Sequence, residues 1–401
     1  MKSILISGAS VAGPVLAYWL ARYGFDVTVV ERAPALRKTG GHAVDLFRPA
    51  MEISERMGVL PRIEAAATGA TRMSVVREGR RKAVDVDLGK IFQATSDRHV
   101  EIMRDDLAEI YYDAGKDHAR YLFGDSITRI GPDGEAEFER SAPGRYDVII
   151  GADGLHSTVR RLVFGEVPEH HVGGYLAVLS LPKDLAAAGE AHSRLHVGVN
   201  RAAALYTART LPDARAVFLF NRPEPLDYHH RDVPRQKELL RQAFAGLNPE
   251  VDGWLARLDG DGAFYFDSIT QLRLDSWSRG RVTLAGDAGY CPGPAVGGST
   301  SLAVVGAYVL AGELAEAGGD HEAAFQAYER QVLPLVQASR KFALGAAKTL
   351  IPGSRAAVWG LVNGARVAAA LPAGVSRTLA KLNSKGLRLH DSMPVRDYAA
   401  G

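Results

Sequence analysis

The chain has 401 residues, 47% of them hydrophobic and 23% charged, with a formal net charge of +2. That length and apolar content can bury a large core and suit two or three domains. The near-balanced charge, without any Lys/Arg block, argues against a nucleic-acid partner and for a small molecule, and a single cysteine, Cys291, excludes an internal disulfide or a cysteine-based metal site.

The first apolar run, Lys2 to Ser7, reads as a strand, and Gly8-Ala-Ser10-Val-Ala12-Gly13 as a small-residue turn opening a helix through Leu20. A second apolar run, Val27 to Val30, ends in Glu31. This layout is a βαβ unit that holds an adenosine diphosphate moiety, with the diphosphate against backbone N–H groups at the helix N-terminus and Glu31 accepting from the ribose hydroxyls. A strand that starts at Lys2 leaves no space for a secretory signal, so the cytoplasm is the expected compartment.

Further along, Ala50 to Leu60 reads as a helix and Thr71 to Val86 as strands. Arg104 to Tyr112 is an amphipathic helix with Met103, Leu107 and Ile110 on its apolar side, on which Arg104 reads first as a surface residue. The segment Tyr146-Asp-Val-Ile-Ile-Gly151-Ala-Asp153-Gly154 is a buried-type strand ending in a turn that carries one carboxylate. From about 172 to 225 apolar residues alternate with period two, which indicates an antiparallel sheet with one buried face. A helix follows from Pro234 to Ala245, with proline in its first turn. The segment Arg281-Val-Thr-Leu-Ala-Gly286-Asp287 repeats the strand-then-carboxylate pattern and runs through a Gly/Pro-rich loop into another helix. Open α/β sheets bind ligands at such carboxyl ends of strands.

From His321 to about Lys385 the pattern is helical, broken at Pro352-Gly353. The stretch Ala356 to Leu371 is strongly apolar but contains Asn363 and Arg366 and stops at Pro372, so it is too short and interrupted to span a membrane. Cys291, flanked by Tyr290 and Pro292, has no neighbouring base or cation and reads as structural. The pairs His170-His171 and His229-His230 are not at metal-ligand spacing, and no metal is expected.

The three turns resemble the dinucleotide, Asp-Gly and Gly-Asp fingerprints of FAD-dependent class A monooxygenases, the para-hydroxybenzoate hydroxylase-like flavoproteins, over about residues 1 to 330. Within that family the strings Gly40-Gly-His-Ala-Val-Asp45, Phe264-Tyr-Phe-Asp-Ser-Ile-Thr-Gln271 and Gly286-Asp-Ala-Gly-Tyr-Cys-Pro292 look most like the tetracycline-destructase and polyketide-modifying branch. Four positions depart from the usual pattern: Ser10 and Ser299 stand where glycine is common, Tyr290 where histidine is frequent, and Gly306 where aspartate is often found.

The resemblance implies an α/β fold: a Rossmann-like FAD-binding domain of the glutathione-reductase type, interleaved with an antiparallel-sheet substrate domain and followed by C-terminal helices. The implied boundaries are 1–70, 101–165 and 272–330 for the FAD-binding domain, 71–100 and 166–271 for the substrate domain, and 331–401 for a helical segment packed over the substrate mouth. It also implies FAD held by Gly8, Ser10, Ala12, Gly13, Glu31, Arg32, Arg104, Asp153, Gly286, Asp287, Pro294, Gly297, Gly298 and Ser299, with NAD(P)H as co-substrate. Candidate substrate contacts are Tyr175, Phe218, Phe220, Phe264 and Phe266, aromatics that a plain core would also supply. His42, Asp45 and Arg48 are the polar candidates for catalysis, equally readable as a polar loop before a helix.

The implied activity is oxygenation of an aromatic or polyketide-like molecule by O2 through a flavin C4a-hydroperoxide, in antibiotic biosynthesis or resistance, by a monomer or weak homodimer. Two other readings stand beside it: a flavoprotein oxidase or dehydrogenase without oxygen transfer, and a non-enzymatic ligand-binding protein on the same fold.

Overall fold

The computed structural model describes residues 2–36, 40–87, 98–186, 192–293, 298–370, 391 and 393–398. Two sheets organise it. The first has six strands in the order Ser278–Arg279, Val282–Leu284, Val148–Gly151, Ser3–Ser7, Asp26–Glu31 and Arg120–Phe123, parallel except for the terminal hairpin. Its central strands are runs of Ile, Val and Leu because both faces are covered: Ile4, Leu5, Ile6, Ile149 and Ile150 are wholly buried. The helices Ala12–Arg22 and Ser299–Glu316 pack against each other within the same core.

The register of the three central strands decides where the turns meet. Ser7 pairs with Gly151, and Gly151 with Leu284, so all three strands end at one level. Their first turn residues continue the ladder: Ala152 N–H donates to the Ser7 carbonyl and Ala285 N–H to that of Gly151, each at 2.8 Å.

The second sheet has seven strands in the order Phe264–Leu272, Glu169–Leu181, Ala214–Asn221, Arg201–Tyr206, His192–Gly198, Arg72–Arg77 and Ala83–Asp87. One face carries Tyr175, Ala177, Phe218, Phe220 and Phe266 and is buried under the helices Val233–Phe244 and Asn248-capped Pro249–Leu255. The other face carries Tyr265 and Asp267, then Leu176, Val178 and Ser180, then Arg215, Val217 and Leu219, then Ala202, Ala204 and Tyr206, aligned strand by strand. That second face is turned to the parallel-sheet domain, because the Tyr206 hydroxyl accepts from the Ala43 N–H at 2.8 Å. Ala43 begins the strand Ala43–Phe47, which pairs with His99–Met103 in a two-stranded ribbon between the sheets.

The expected boundary at residue 331 falls inside a helix. That helix runs from His321 to Leu350, and its residues Phe325, Tyr328 and Val332 join the core around the parallel sheet. The predicted break at Pro352-Gly353 separates it from the helix Arg355–Ala370. Val358 and Val362 of that last helix pack on Val75, Val84 and Val197, at the far edge of the sheet face turned to the ribbon. Among the described residues no helix is long and apolar enough to cross a membrane, and no group of His, Cys, Asp and Glu is arranged to hold a metal.

Candidate active site

The three turns enclose one cleft of about 320 Å³, within the roughly 300–1,000 Å³ of ligand pockets. Gly8, Ser10 and Ala12 line it from the first turn, Asp153 and His156 from the second, and Gly286, Asp287 and Ser299 from the third. Glu31, Arg32, Arg104, Tyr265 and Asp267 line it as well. Of the expected cofactor residues, Gly298 is the left-handed residue (φ 83°) that starts the helix Ser299–Glu316, while Pro294 and Gly297 fall outside the described residues.

The first turn has the shape a diphosphate needs. Gly8 has φ 105°, and a Cβ on Gly13 would stand 1.9 Å from the Gly8 carbonyl oxygen, so helix and strand touch through backbone. No side chain caps the helix that follows, which leaves its N-terminal N–H groups toward the cleft. Ser10 is exposed and needs no left-handed conformation, so serine is accommodated where glycine is usual. Glu31 anchors the edge of the turn by accepting from the N–H groups of Ala9 (2.8 Å) and Ala33 (2.9 Å).

The Asp153 carboxylate accepts from the Ser157 hydroxyl (2.5 Å) and from the N–H groups of Thr158 (2.8 Å) and Val159 (3.2 Å). These bonds shape the turn and cap the helix Thr158–Phe164, whereas burial pushes the carboxyl pKa up. Arg160, unremarked in the sequence, joins the second turn to the third: it donates to the carbonyls of Leu155 (2.5 Å) and Ala288 (2.9 Å). Desolvation raises the Asp287 pKa, opposed by its hydrogen bond with Cys291 and then by Arg104. Arg104 stands at the head of the helix Arg104–Gly115, its N–H bound to the His42 carbonyl at 3.1 Å. Asp105 beside it accepts from Gly41 N–H at 2.9 Å and fixes the paired glycines.

His42, Asp45 and Arg48 do not line the cleft. Burial, reinforced by Arg104, lowers the His42 pKa to about 4, so its ring is neutral at neutral pH. Asp45 lies across the ribbon from Glu101 and contacts His99 Nε2 at 2.7 Å. Burial and then Asp45 raise the Glu101 pKa. Arg48 opens the helix Arg48–Arg56, with its N–H 3.3 Å from Asp391.

The expected substrate aromatics lie on the sheet face that the helices cover. Tyr175, Phe218, Phe220 and Phe266 are at most 5% exposed and, with Phe264, join the cluster under the helices of the outer face. Substituting the neighbours in sequence reaches the cleft-side face, because successive strand residues alternate: Tyr265 and Asp267 line the cleft, and Val178, Arg215 and Val217 continue that face. Asp267 accepts from Tyr265 (3.3 Å) and from His156 Nε2 (2.9 Å) across the two domains.

A family model described as an FAD binding domain matches residues 1–343. The chain belongs to this family. It is 41% identical over 82% of its length, and 90% of the other's, to an uncharacterized protein of Mycobacterium tuberculosis. It is 36% identical over 87% of its length to a flavin-dependent monooxygenase of Legionella longbeachae, covering 89% of that protein. The crystal structure of tetracycline destructase Tet(51) superposes with a TM-score of 0.82 at 31% identity, covering 99% of this chain and 100% of the other. The cleft accordingly takes FAD.

In this chain Tyr290 and Gly306 form one packing solution. A Cβ on Gly306 would stand 2.1 Å from the Tyr290 hydroxyl, so the phenol occupies the volume that a side chain at 306 would need. The Tyr290 hydroxyl then lies 3.1 Å from that of Tyr328, which is itself 3.1 Å from the Leu284 carbonyl.

Proposed function

We propose that this chain is an NAD(P)H- and O2-dependent FAD monooxygenase that inserts one oxygen atom into a phenolic or enolic polycyclic molecule of tetracycline or polyketide type. The observation that carries this reading is the meeting of three strand-end turns with Arg104 and the sheet residues Tyr265 and Asp267 in one cleft. Bound there, FAD supplies the redox chemistry: NAD(P)H gives two electrons, and O2 is divided between product and water.

The protein's part is placement and exclusion of water. Arg32 and Glu31 hold the adenosine end, the open N-terminus of Ala12–Arg22 the diphosphate, and Asp287 and Arg104 the middle of the cofactor. The N-terminal end of Ser299–Glu316 offers positive potential to the pyrimidine ring, whose charge grows more negative on reduction. The apolar sheet face of Leu176, Val178, Val217 and Leu219 is the substrate wall, and it keeps water from the reacting centre. We assign the parallel sheet and its helices, through the helix His321–Leu350, to the cofactor domain, and the seven-stranded sheet to the substrate domain. A lone buried cysteine suits a reducing cytoplasm.

The test uses purified yellow protein, with NADH or NADPH, 18-O2 and a panel of polycyclic phenols including tetracyclines. Stimulated nicotinamide consumption with one labelled oxygen in the product is the expected result. Consumption matched by H2O2 with unlabelled substrate would overturn it in favour of an oxidase, and protein that takes up no flavin would favour a binding protein. Asp287→Ala should reduce flavin content severalfold, read from the ratio of flavin to protein absorbance.

A further inference from the structure

Arg215 is the one arginine among the described residues that is wholly buried (0% exposed). Its Nη1 meets the Ser180 hydroxyl and the Asp213 carboxylate, the latter at 2.6 Å. Its Nε and Nη2 have no hydrogen-bond partner among the described residues. Unfilled donors on a buried guanidinium are costly, because each gave up hydrogen bonds to water and found nothing in return. A packing role alone does not explain them, since a neutral side chain of similar size would fill the same space without that penalty.

Arg215 stands on the cleft-side face of the sheet, behind the residues that line the cleft itself. It pairs with Ser180 on one side and Tyr206 on the other, so all three share the sheet face that carries Tyr265 and Asp267 into the cleft. Tyr206 is the point where this face touches the ribbon, through Ala43, and Arg215 lies near enough to lower the Tyr206 pKa while burial raises it. Around Arg215 the face is apolar: Val178 and Val217 are the next rung, Leu176 and Leu219 the one after. A flat hydrophobic wall with one buried cation at its edge fits an aromatic ring that carries an ionised oxygen, met by the Nε and Nη2 pair as a fork.

We infer that Arg215 is the substrate-orienting residue, and that the enzyme selects aromatic or enolic substrates as anions (phenolate, enolate or carboxylate) held by its free Nε and Nη2. This rests on the proposed monooxygenase reading and deepens it. Ionisation of a phenol or enol also enriches the ring in electrons, so the group that anchors the substrate marks the ring to be oxygenated.

The experiment measures binding of two probes to the flavin-loaded protein, by calorimetry and by perturbation of the flavin absorbance: 1-hydroxy-2-naphthoate and its neutral methyl ester. The expected result is that the acid binds about tenfold or more tighter than the ester, as a charge-assisted fork requires. Arg215→Gln should abolish that preference and Arg215→Lys restore part of it, with flavin content unchanged in both. The comparison variant is Arg201→Gln, whose guanidinium points to the sheet's outer side and pairs with Glu78 at 2.5 Å, and it should keep the preference.

Equal affinity of the two probes for the unsubstituted protein would overturn the inference, whether or not the variants fold. Retention of the preference in Arg215→Gln would also overturn it, as would loss of flavin with the preference intact, which would assign Arg215 to the cofactor. Oxygen-18 incorporation is read separately, so the monooxygenase reading can stand while this one fails.

Discussion

At single positions the cofactor turn is a matter of tenths of an ångström. Gly13 allows its helix to meet the strand because it has no Cβ, and the atom it would strike is the Gly8 carbonyl oxygen 1.9 Å away, which belongs to the backbone and has no rotamer to escape into. Gly8 is constrained twice, by φ 105° and by the Ala152 carbonyl oxygen 2.5 Å from its missing Cβ. Gly13→Ala is therefore expected to lose most of its flavin and to unfold at lower denaturant, by about 1–3 kcal/mol or more as for other overpacked cores. Ser10 differs: it is exposed and outside the left-handed region, and Ser10→Gly should change stability by no more than about 1 kcal/mol. Urea unfolding and flavin-to-protein ratios of the two variants check both statements, and a fully flavinated, equally stable Gly13→Ala would contradict the first.

At the level of elements, the helix Ser299–Glu316 joins the cleft to the end of the chain. Its N-terminus faces the cleft, and its later turns are strapped by residues 393–398, where Tyr398 and Met393 are buried. The Tyr398 ring lies where a Cβ on Gly312 would be, 2.3 Å away, and its hydroxyl donates to buried Glu313 at 2.8 Å. Tyr398→Ala is expected to cost about 3–5 kcal/mol, as for other buried aromatics cut to alanine. Tyr398→Phe should cost only about 0.5–1.5 kcal/mol, because Glu313 keeps Gln331 and Arg396; the urea midpoints of the two variants separate ring packing from the hydrogen bond. Elements of this kind were unevenly legible in the sequence. The three cofactor turns announce themselves, since each needs small residues next to a strand and an acidic group nearby, and Arg104 and Asp287 came with the resemblance. Period two disclosed the antiparallel strands but not which face met the cleft. Choosing the aromatic set, Tyr175, Phe218 and Phe220, chose the face that covers Leu239, Leu240 and Phe244 of the helix Val233–Phe244. The signal for the opposite face was Arg215, a charge inside an apolar strand, on the set of alternate residues left over. The strap and the Arg160 bond to Ala288 were hidden because their partners are remote in the chain.

Across the whole molecule, the two sheets are bonded beside the cleft by His156 of the second turn and Asp267 of the seven-stranded sheet, 111 residues apart and 2.9 Å between Nε2 and Oδ2. The Asp267 hydrogen bond is the main cause of a raised His156 pKa, aided by Glu169 and opposed by burial and Arg160. His230 stacks on the His156 ring at 4.5 Å, and burial, then His156, His229 and Arg231, lower its pKa to about 4. The two imidazoles therefore act with opposite signs. His156 is more basic folded than unfolded, so its contribution is complete below the ordinary value of 6.5 and is lost as pH rises through its higher folded value. His230 is less basic folded, so it lowers stability as pH falls from 6.5 toward about 4, a limb it shares with His42. Subtracting the urea-derived stability of His156→Gln from that of the unsubstituted protein, pH by pH, should leave a difference that is constant below about 6.5 and shrinks above it. The same subtraction for His230→Gln should leave a penalty that grows only below about 6.5. Because Asp267 also accepts from Tyr265 inside the cleft, loss of the His156 proton loosens the bond between the two sheets at the cleft. A His156→Gln difference that does not change between pH 6 and 9 would show that the domains are held together without it.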